Sequence, residues 1–454
     1  MTRVALVVLD TLRKDAFDRH FDWLPGIRYP NTWSPSHGTV QVHGSLFTGR
    51  YASEHGVTSK TPILDVSKPT LAERLSDMDI STRGHSSNPY VSPAFGFNRG
   101  FSSFDGNHRV RRMFESVYDW SELLDTDLPQ HRKYLQGLLG CLRSDDPVES
   151  VRQGLLLKAE GSGWWEPTDK GGKRTVEWAK SQTYKEDEFV FINLMEAHSP
   201  YLQIPPEFTE GIPNEAVPRN PNIEQVFESP NSDPVRAAYE ASVEYLSDIY
   251  RKLFFELIKD MDYVITIADH GEMLGEDGLW GHDHGINPPL VDVPLVVSDG
   301  SQEKESDDRL VSSLDVYQTI LDIFGSSDED VEAFSLFSSE NREVCLTECL
   351  GLPTGLLERF SGKYPLESYD ATFRGIAIPT DYGYKTRSGW RQLNGEKGLQ
   401  EQLDSQVESL SRQNIGEETK RATKTASERL RIRIDPDQIP GFRCYWIQQN
   451  KRRV

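Results

Sequence analysis

The sequence predicts an α/β fold, a doubly wound and mostly parallel sheet flanked by helices, with a smaller antiparallel sheet in its C-terminal part. Three observations carry this. Four apolar runs, VALVVL (4–9), FVFINLM (189–195), YVITIA (263–268) and VPLVVS (293–298), read as strands buried on both faces. Stretches of helical periodicity separate them, as parallel crossovers require. After about residue 340 the pattern changes to short strands and turns, in CLTECL and FRGIAIPTDYGYKTRSGWRQL. The chain therefore divides into a large α/β domain (1–340), a β-rich subdomain (341–400) and a charged, mostly helical segment (401–454).

Taken in order, the first run ends at Asp10. SPSHG (34–38) reads as a loop, and Val42, Leu46 and Phe47 then recur at helical spacing before Gly49, a natural stop. Thr39 so falls at or just before a helix N-terminus, where backbone N–H groups and the dipole favour an anion. Residues 70–78 read as a helix, 86–104 as an aromatic-rich ordered loop and 108–160 as mostly helical. A Gly-rich break follows at 160–174, then a helix near 174–183. The second strand ends at Glu196 and His198. Residues 202–234, rich in proline and asparagine, read as a surface excursion, and 235–260 as a helix. The third strand ends at Asp269–His270, and the helical pattern of 397–431 has only a weak apolar stripe.

Composition narrows the function classes. A length of 454 residues supports a large domain with a smaller one. A net charge of −21 argues against nucleic acid or an anionic membrane as partner. No apolar run reaches the roughly 18 residues of a membrane span, and the N-terminus lacks a cleavage site, so the expected location is cytoplasmic. Four cysteines (Cys141, Cys345, Cys349 and Cys444) are too few for a disulfide scaffold and read as ordinary thiols. Oligomeric state is not legible.

Three strands end in metal-type ligands, Asp10, Glu196/His198 and Asp269–His270, and sites in open α/β sheets form at the carboxyl ends of strands. The stretch ADHGEMLGEDGLWGHDHG (268–285) adds His282 and His284. Oxygen ligands with one imidazole suit calcium, magnesium or manganese, and two or more imidazoles suit zinc.

The chain resembles the sulfatase branch of the alkaline phosphatase superfamily. The motifs are VVLDTLRKD (7–15), GTVQVHGSLFTGRYASEHGV (38–57), SSNPYVSPAFGFNRGF (86–101), NLMEAHSPY (193–201), IADHGEMLGEDGLWGHDHG (267–285), VPLVV (293–297) and SSLDVYQTILDIFG (312–325). The resemblance implies that Asp10, Asp269 and His270 hold one divalent cation and that Thr39 is the nucleophile. It places His43 where sulfatases keep an arginine supporting the nucleophile. His198 matches a histidine that contacts the substrate ester, and His282 or His284 the residue set against the leaving group. Asn88 and His284 are assigned to substrate binding. Threonine departs from the family pattern: its extra methyl prevents oxidation to formylglycine. The implied activity is a metal-dependent hydrolase of sulfate or phosphate/phosphonate esters, acting on a small-molecule or glycan anionic ester through a covalent Thr39 intermediate. The alternatives are a soluble phospho- or sulfotransferase using the same intermediate, and an inactive binding protein.

Overall fold

The computed structural model describes residues 1–114, 116–120, 130–162 and 168–413. Its centre is an eight-stranded sheet in the order Lys304–Ser306, Gly26–Arg28, Leu295–Ser298, Tyr263–Ile267, Arg3–Leu9, Glu188–Leu194, Ser81–Ser86, Ser103–Gly106. Leu295–Ser298 runs antiparallel to both neighbours, and every other pairing in the sheet is parallel.

The Arg3–Leu9 strand shows why the apolar runs are unbroken. Ala5, Val7 and Leu9 enter one core with the helices Lys14–His20, Gly172–Ser181 and Ser232–Leu257. Val4, Leu6 and Val8 enter a second core with the helices Thr39–Thr48, Leu71–Asp77 and Asp315–Ile323. Both faces are covered, so no position on the strand is free to be polar. Pairing of Leu9 with Leu194 and of Val8 with Ile267 ends three parallel strands at one level. Asp10, Asp269 and the turn after Leu194 therefore leave the sheet along one edge.

Four strands of this sheet carry no apolar run. Gly26–Arg28, Ser103–Gly106 and Lys304–Ser306 have at most four residues each. Ser81–Ser86 is polar because its neighbours supply partners: Arg83 Nε donates to Glu188 (2.9 Å), and His85 lies 4.5 Å from the Trp178 ring. The expected surface excursion at 202–234 contains a helix, Ile223–Glu228, capped by the Asn222 side chain. In the 108–160 region the structure forms helices His108–Arg111, Gln130–Arg143 and Pro147–Ser162, and residues 121–129 lie outside the described residues. So do 163–167 of the Gly-rich break. Of the C-terminal helical stretch, Leu399–Gln413 is a helix, and 414–454, with Cys444 and the basic tail, lie outside the described residues.

The small sheet is antiparallel, in the order Cys345–Leu350, Thr372–Ile378, Asp381–Thr386, Gly389–Gln392. It buttresses the loop leading to Thr39. The Glu348 N–H donates to the Pro35 carbonyl (2.9 Å), Ser36 Oγ donates to the Glu348 carbonyl (2.6 Å), and Trp33 stacks on Tyr382 with centroids 4.2 Å apart. Cys141, Cys345 and Cys349 are buried free thiols. Among the described residues no helix is long and apolar enough to cross a membrane.

The Thr39–Thr48 helix ends at Gly49 in the left-handed region (φ 66°), and a Cβ there would lie 2.7 Å from the Tyr317 ring. Gly49→Ala is expected to destabilise the fold by about 2 kcal/mol, through backbone strain plus the clash. The check is a lower urea midpoint at unchanged slope.

Candidate active site

Thr39 is the first residue of its helix, after Gly38 in an extended conformation (φ −142°, ψ 152°). Its hydroxyl oxygen lies 3.2 Å from His270 Nε2. His270 Nδ1 lies 2.8 Å from the Gly271 carbonyl, which can only accept, so Nδ1 carries the proton and Nε2 presents a lone pair to the Thr39 hydroxyl. Gly271 is required here: a Cβ would sit 1.9 Å from the Pro289 carbonyl oxygen. Ser34 Oγ donates to the Asp269 carbonyl (2.6 Å) and ties the loop before Thr39 to the loop after the third strand.

Asp10 and Asp269 are both fully buried. Asp10 accepts from Thr11 Oγ1 (2.8 Å) and from the amides of Asn88 (2.7 Å) and Asn193 (3.5 Å). Asp269 Oδ1 accepts from the N–H groups of Thr11 (3.0 Å) and His270 (2.9 Å), while Oδ2 has no hydrogen-bond partner among the described residues. Thr11 holds a left-handed conformation (φ 62°), unusual for a β-branched residue. Its carbonyl accepts from Tyr239 OH (2.8 Å), and that oxygen accepts from Arg13 N–H (2.8 Å). This fixes the sharp turn that aims Thr11 at both carboxylates.

Burial, and then the charge of Asp10, push Asp269 well above the ordinary carboxylate range. Burial pushes Asp10 up as well, but His198, His270 and the Asn88 amide outweigh it and hold Asp10 below its usual value. One ligand atom from each of Asp10, Asp269 and His270 lies within 4.8 Å of the other two. Two buried carboxylates, one with an unpartnered oxygen, beside an imidazole lone pair fit a divalent cation.

Two more imidazoles approach this cluster. His282 lies 4.5 Å from His270 and 5.1 Å from His198, centroid to centroid. Its Nδ1 is 2.9 Å from Glu272 Oε1, and Glu272 Oε2 accepts from Tyr201 OH (2.9 Å). His198 Nδ1 donates to the Ser199 carbonyl (2.7 Å). In both rings Nδ1 is anchored, and Nε2 has no hydrogen-bond partner among the described residues. Burial, then His270 and His198, hold His282 well below the usual histidine value, and burial raises Glu272 to about 7.

The remaining candidates stand differently. His43 lies one turn below Thr39, and its Nδ1 donates to the Thr39 carbonyl (2.9 Å) rather than approaching the hydroxyl. Phe47, Phe97 and Phe191 surround its ring edge-on, and burial lowers it to about 4. Asn88 donates to Asp10 and its carbonyl oxygen accepts from Tyr90 N–H (2.8 Å), so its carboxamide is committed behind the carboxylate. His284 packs edge-on against Tyr369 (5.0 Å), and neither ring nitrogen has a hydrogen-bond partner among the described residues. Sequence reasoning missed Thr11, Asn193 and Glu272. Thr11 follows Asp10 and Glu272 stands two residues after His270; Asn193 interrupts an apolar strand, the one signal that marks it.

A family model described as Sulfatase matches residues 18–326. A stretch of 113 residues is 29% identical to the low-salt glycan biosynthesis sulfotransferase Agl7 of Haloferax volcanii, covering 23% of this chain and 28% of that protein. Among solved structures, the phosphonate monoester hydrolase of Silicibacter pomeroyi has a TM-score of 0.57 at 14% identity, over 91% of this chain and 95% of that one. A 2-O GAG sulfatase has a TM-score of 0.55 at 12% identity, over 95% and 91%. At these identities the structural likeness is one of fold.

Wild-type protein loaded with manganese and desalted is expected to retain metal, and Asp269→Asn to retain little. Metal at about 100 times Kd should stabilise the wild type by about 2.7 kcal/mol and leave the variant's melting unchanged. Equal metal content in the two proteins would refute the ligand set.

Proposed function

The chain belongs to the Sulfatase family, and on that premise we propose that it is a metal-dependent hydrolase of sulfate or phosphate/phosphonate esters that acts through a covalent Thr39 intermediate. The observation that carries this reading is the Thr39 hydroxyl, at a helix N-terminus and 3.2 Å from His270 Nε2, beside the buried carboxylates Asp10 and Asp269. Asp10, Asp269 and His270 would hold the cation, which supplies a lowered hydroxyl pKa and neutralises charge on the substrate. Calcium, magnesium and manganese suit this oxygen-rich set.

Thr39 Oγ attacks the sulfur or phosphorus centre and sheds its proton toward the cluster it faces. A bond forms from Oγ to that centre and the bond to the ester oxygen breaks. The departing alcohol takes the Nε2 proton of His282, which the Glu272 carboxyl, raised to about 7, replaces on Nδ1, or the Nε2 proton of His198 in its imidazolium form, and the water of the next step restores it. Water then cleaves the Thr39 ester. His43 and Asn193 hold the frame: the Asn193 amide lies 3.4 Å from His43 Nε2 and 3.5 Å from Asp10 Oδ2, linking the helix of the nucleophile to the first strand. Threonine excludes the formylglycine route, since its oxidation would give a ketone.

A second reading is favoured by the glycan biosynthesis sulfotransferase relative. In it the same Thr39 intermediate passes its group to an acceptor alcohol instead of water, and a sulfated glycan is the natural substrate class. Acceptor alcohols added to the assay separate the two readings: transferred product rising with acceptor supports transfer, and release to water at an unchanged rate supports hydrolysis.

A panel of aryl sulfate, aryl phosphate, phosphodiester and phosphonate esters, with added calcium, magnesium or manganese, tests the reaction. Thr39→Ala should lower kcat by at least about a thousandfold, the scale of losing an activated nucleophile. Thr39→Ser should keep measurable turnover. Near-normal turnover by Thr39→Ala would remove the nucleophile from this account.

A further inference from the structure

On the other flank of Asp10 from Asp269 lies a lysine that the reaction above does not use. Lys170 is 1% exposed, yet its ammonium makes no ion pair among the described residues. Its single side-chain hydrogen bond among them goes to the Glu196 backbone carbonyl (2.7 Å), in the turn between the Glu188–Leu194 strand and His198. The Glu196 carboxylate forms no ion pair with it: Oε1 accepts from Gly172 N–H (2.8 Å), and Oε2 is buried without a partner among the described residues. Buried ammonium groups are ordinarily paired, because an uncompensated one costs several kcal/mol.

The backbone around Lys170 is fixed. Asn107 Nδ2 donates to the carbonyls of Lys170 (2.7 Å) and Ser87 (2.8 Å), and Ser87 precedes the Asn88 that grips Asp10. A Cβ at Gly171 would sit 2.8 Å from Asn107 and 2.9 Å from Ser87 Oγ. Asp169 accepts from Gly171 N–H (3.2 Å) and from Tyr245 OH (3.0 Å). The ammonium thus stands over the ends of the Glu188–Leu194 and Ser81–Ser86 strands, on the rim that carries Asp10, and the charges that act on it are Glu196, Arg109, Asp169 and then Asp10. Burial, partly offset by Glu196, lowers it to about 7.

We propose that Lys170 is an anion-binding residue of this site, donating its unspent N–H groups to the charged oxygens of the substrate's sulfuryl or phosphoryl group. The proposal rests on the ester-hydrolase reading and names the second positive element of that site. It explains how a chain of net charge −21 admits an anion at a centre where the family's supporting arginine is replaced by the buried His43.

The test is calorimetric titration of the metal-loaded full chain with inorganic phosphate and inorganic sulfate, which needs no turnover. Lys170→Met should weaken binding by about tenfold or more, the scale of a lost charge-assisted contact, at unchanged metal content. Lys170→Arg, which keeps the charge, should stay within about fivefold of the wild type. Glu196→Gln removes a competing negative charge, so it should bind at least as tightly as the wild type. A purely structural Lys170–Glu196 pair predicts the opposite, with Glu196→Gln as damaging as Lys170→Met. That pattern, unchanged binding by Lys170→Met, or a wild type that binds neither anion overturns the proposal. Should Lys170→Met fail to fold, Lys170→Arg and Glu196→Gln decide it: weakened binding by Glu196→Gln overturns it. Anion binding through Lys170 without turnover of any ester would remove the reaction and leave this site standing.

Discussion

Two carboxylates are forced together where the first and third parallel strands leave the sheet. The pairing of Val8 with Ile267 sets Asp10 and Asp269 at one level, and two apolar cores below prevent either from turning away. Neither reaches solvent. Two such charges left unattended would cost several kcal/mol each, and the protein answers with a dense set of donors: two asparagine amides, the Thr11 hydroxyl and backbone N–H groups. One oxygen, Asp269 Oδ2, has no hydrogen-bond partner among the described residues. The strained Thr11, the committed Asn88 and the position of His270 all follow from satisfying this pair around a place for a cation.

The imidazoles obey a second rule. His43, His198, His270 and His282 each have Nδ1 bound, to the carbonyls of Thr39, Ser199 and Gly271 and to the Glu272 carboxylate. Such anchoring fixes the tautomer and leaves Nε2 as the working atom. For His270 that atom meets Thr39; for His198 and His282 it has no hydrogen-bond partner among the described residues. His43 spends its own on the Asn193 amide and so belongs to the frame. The small sheet takes part as well, since Ser36 and Glu348 lock the loop that delivers Thr39.

Much of this was legible in the sequence because burial on both faces leaves a plain apolar signature. The four long runs are strands, and the residue after each of the first and third is a cluster member. Thr39 could be placed at a helix start from Gly38 and Gly49. The polar strand Ser81–Ser86 was not legible, since its contacts are hydrogen bonds and a stacked ring rather than apolar faces. Nor was the helix Ile223–Glu228, hidden in a proline-rich stretch and made by the Asn222 cap. At the site, Asp10, Asp269 and His270, which the structure brings together, follow strand ends that the apolar runs mark. Thr11, Asn193 and Glu272 were not legible in this way, because each also takes a partner 71 to 258 residues away. His284 shares a motif with His282 but points to Tyr369, two residues of loop being enough to turn it.

The central claim is that Thr39 itself carries the transferred group. The most direct measurement is acid quenching of the metal-loaded enzyme during turnover, followed by mass mapping of the peptide that contains Thr39. The account predicts a sulfuryl or phosphoryl increment on Thr39 that appears with substrate and decays as product forms. Steady turnover with that peptide unmodified at every time point, in wild type and in variants slowed at His198 or His282, would contradict it.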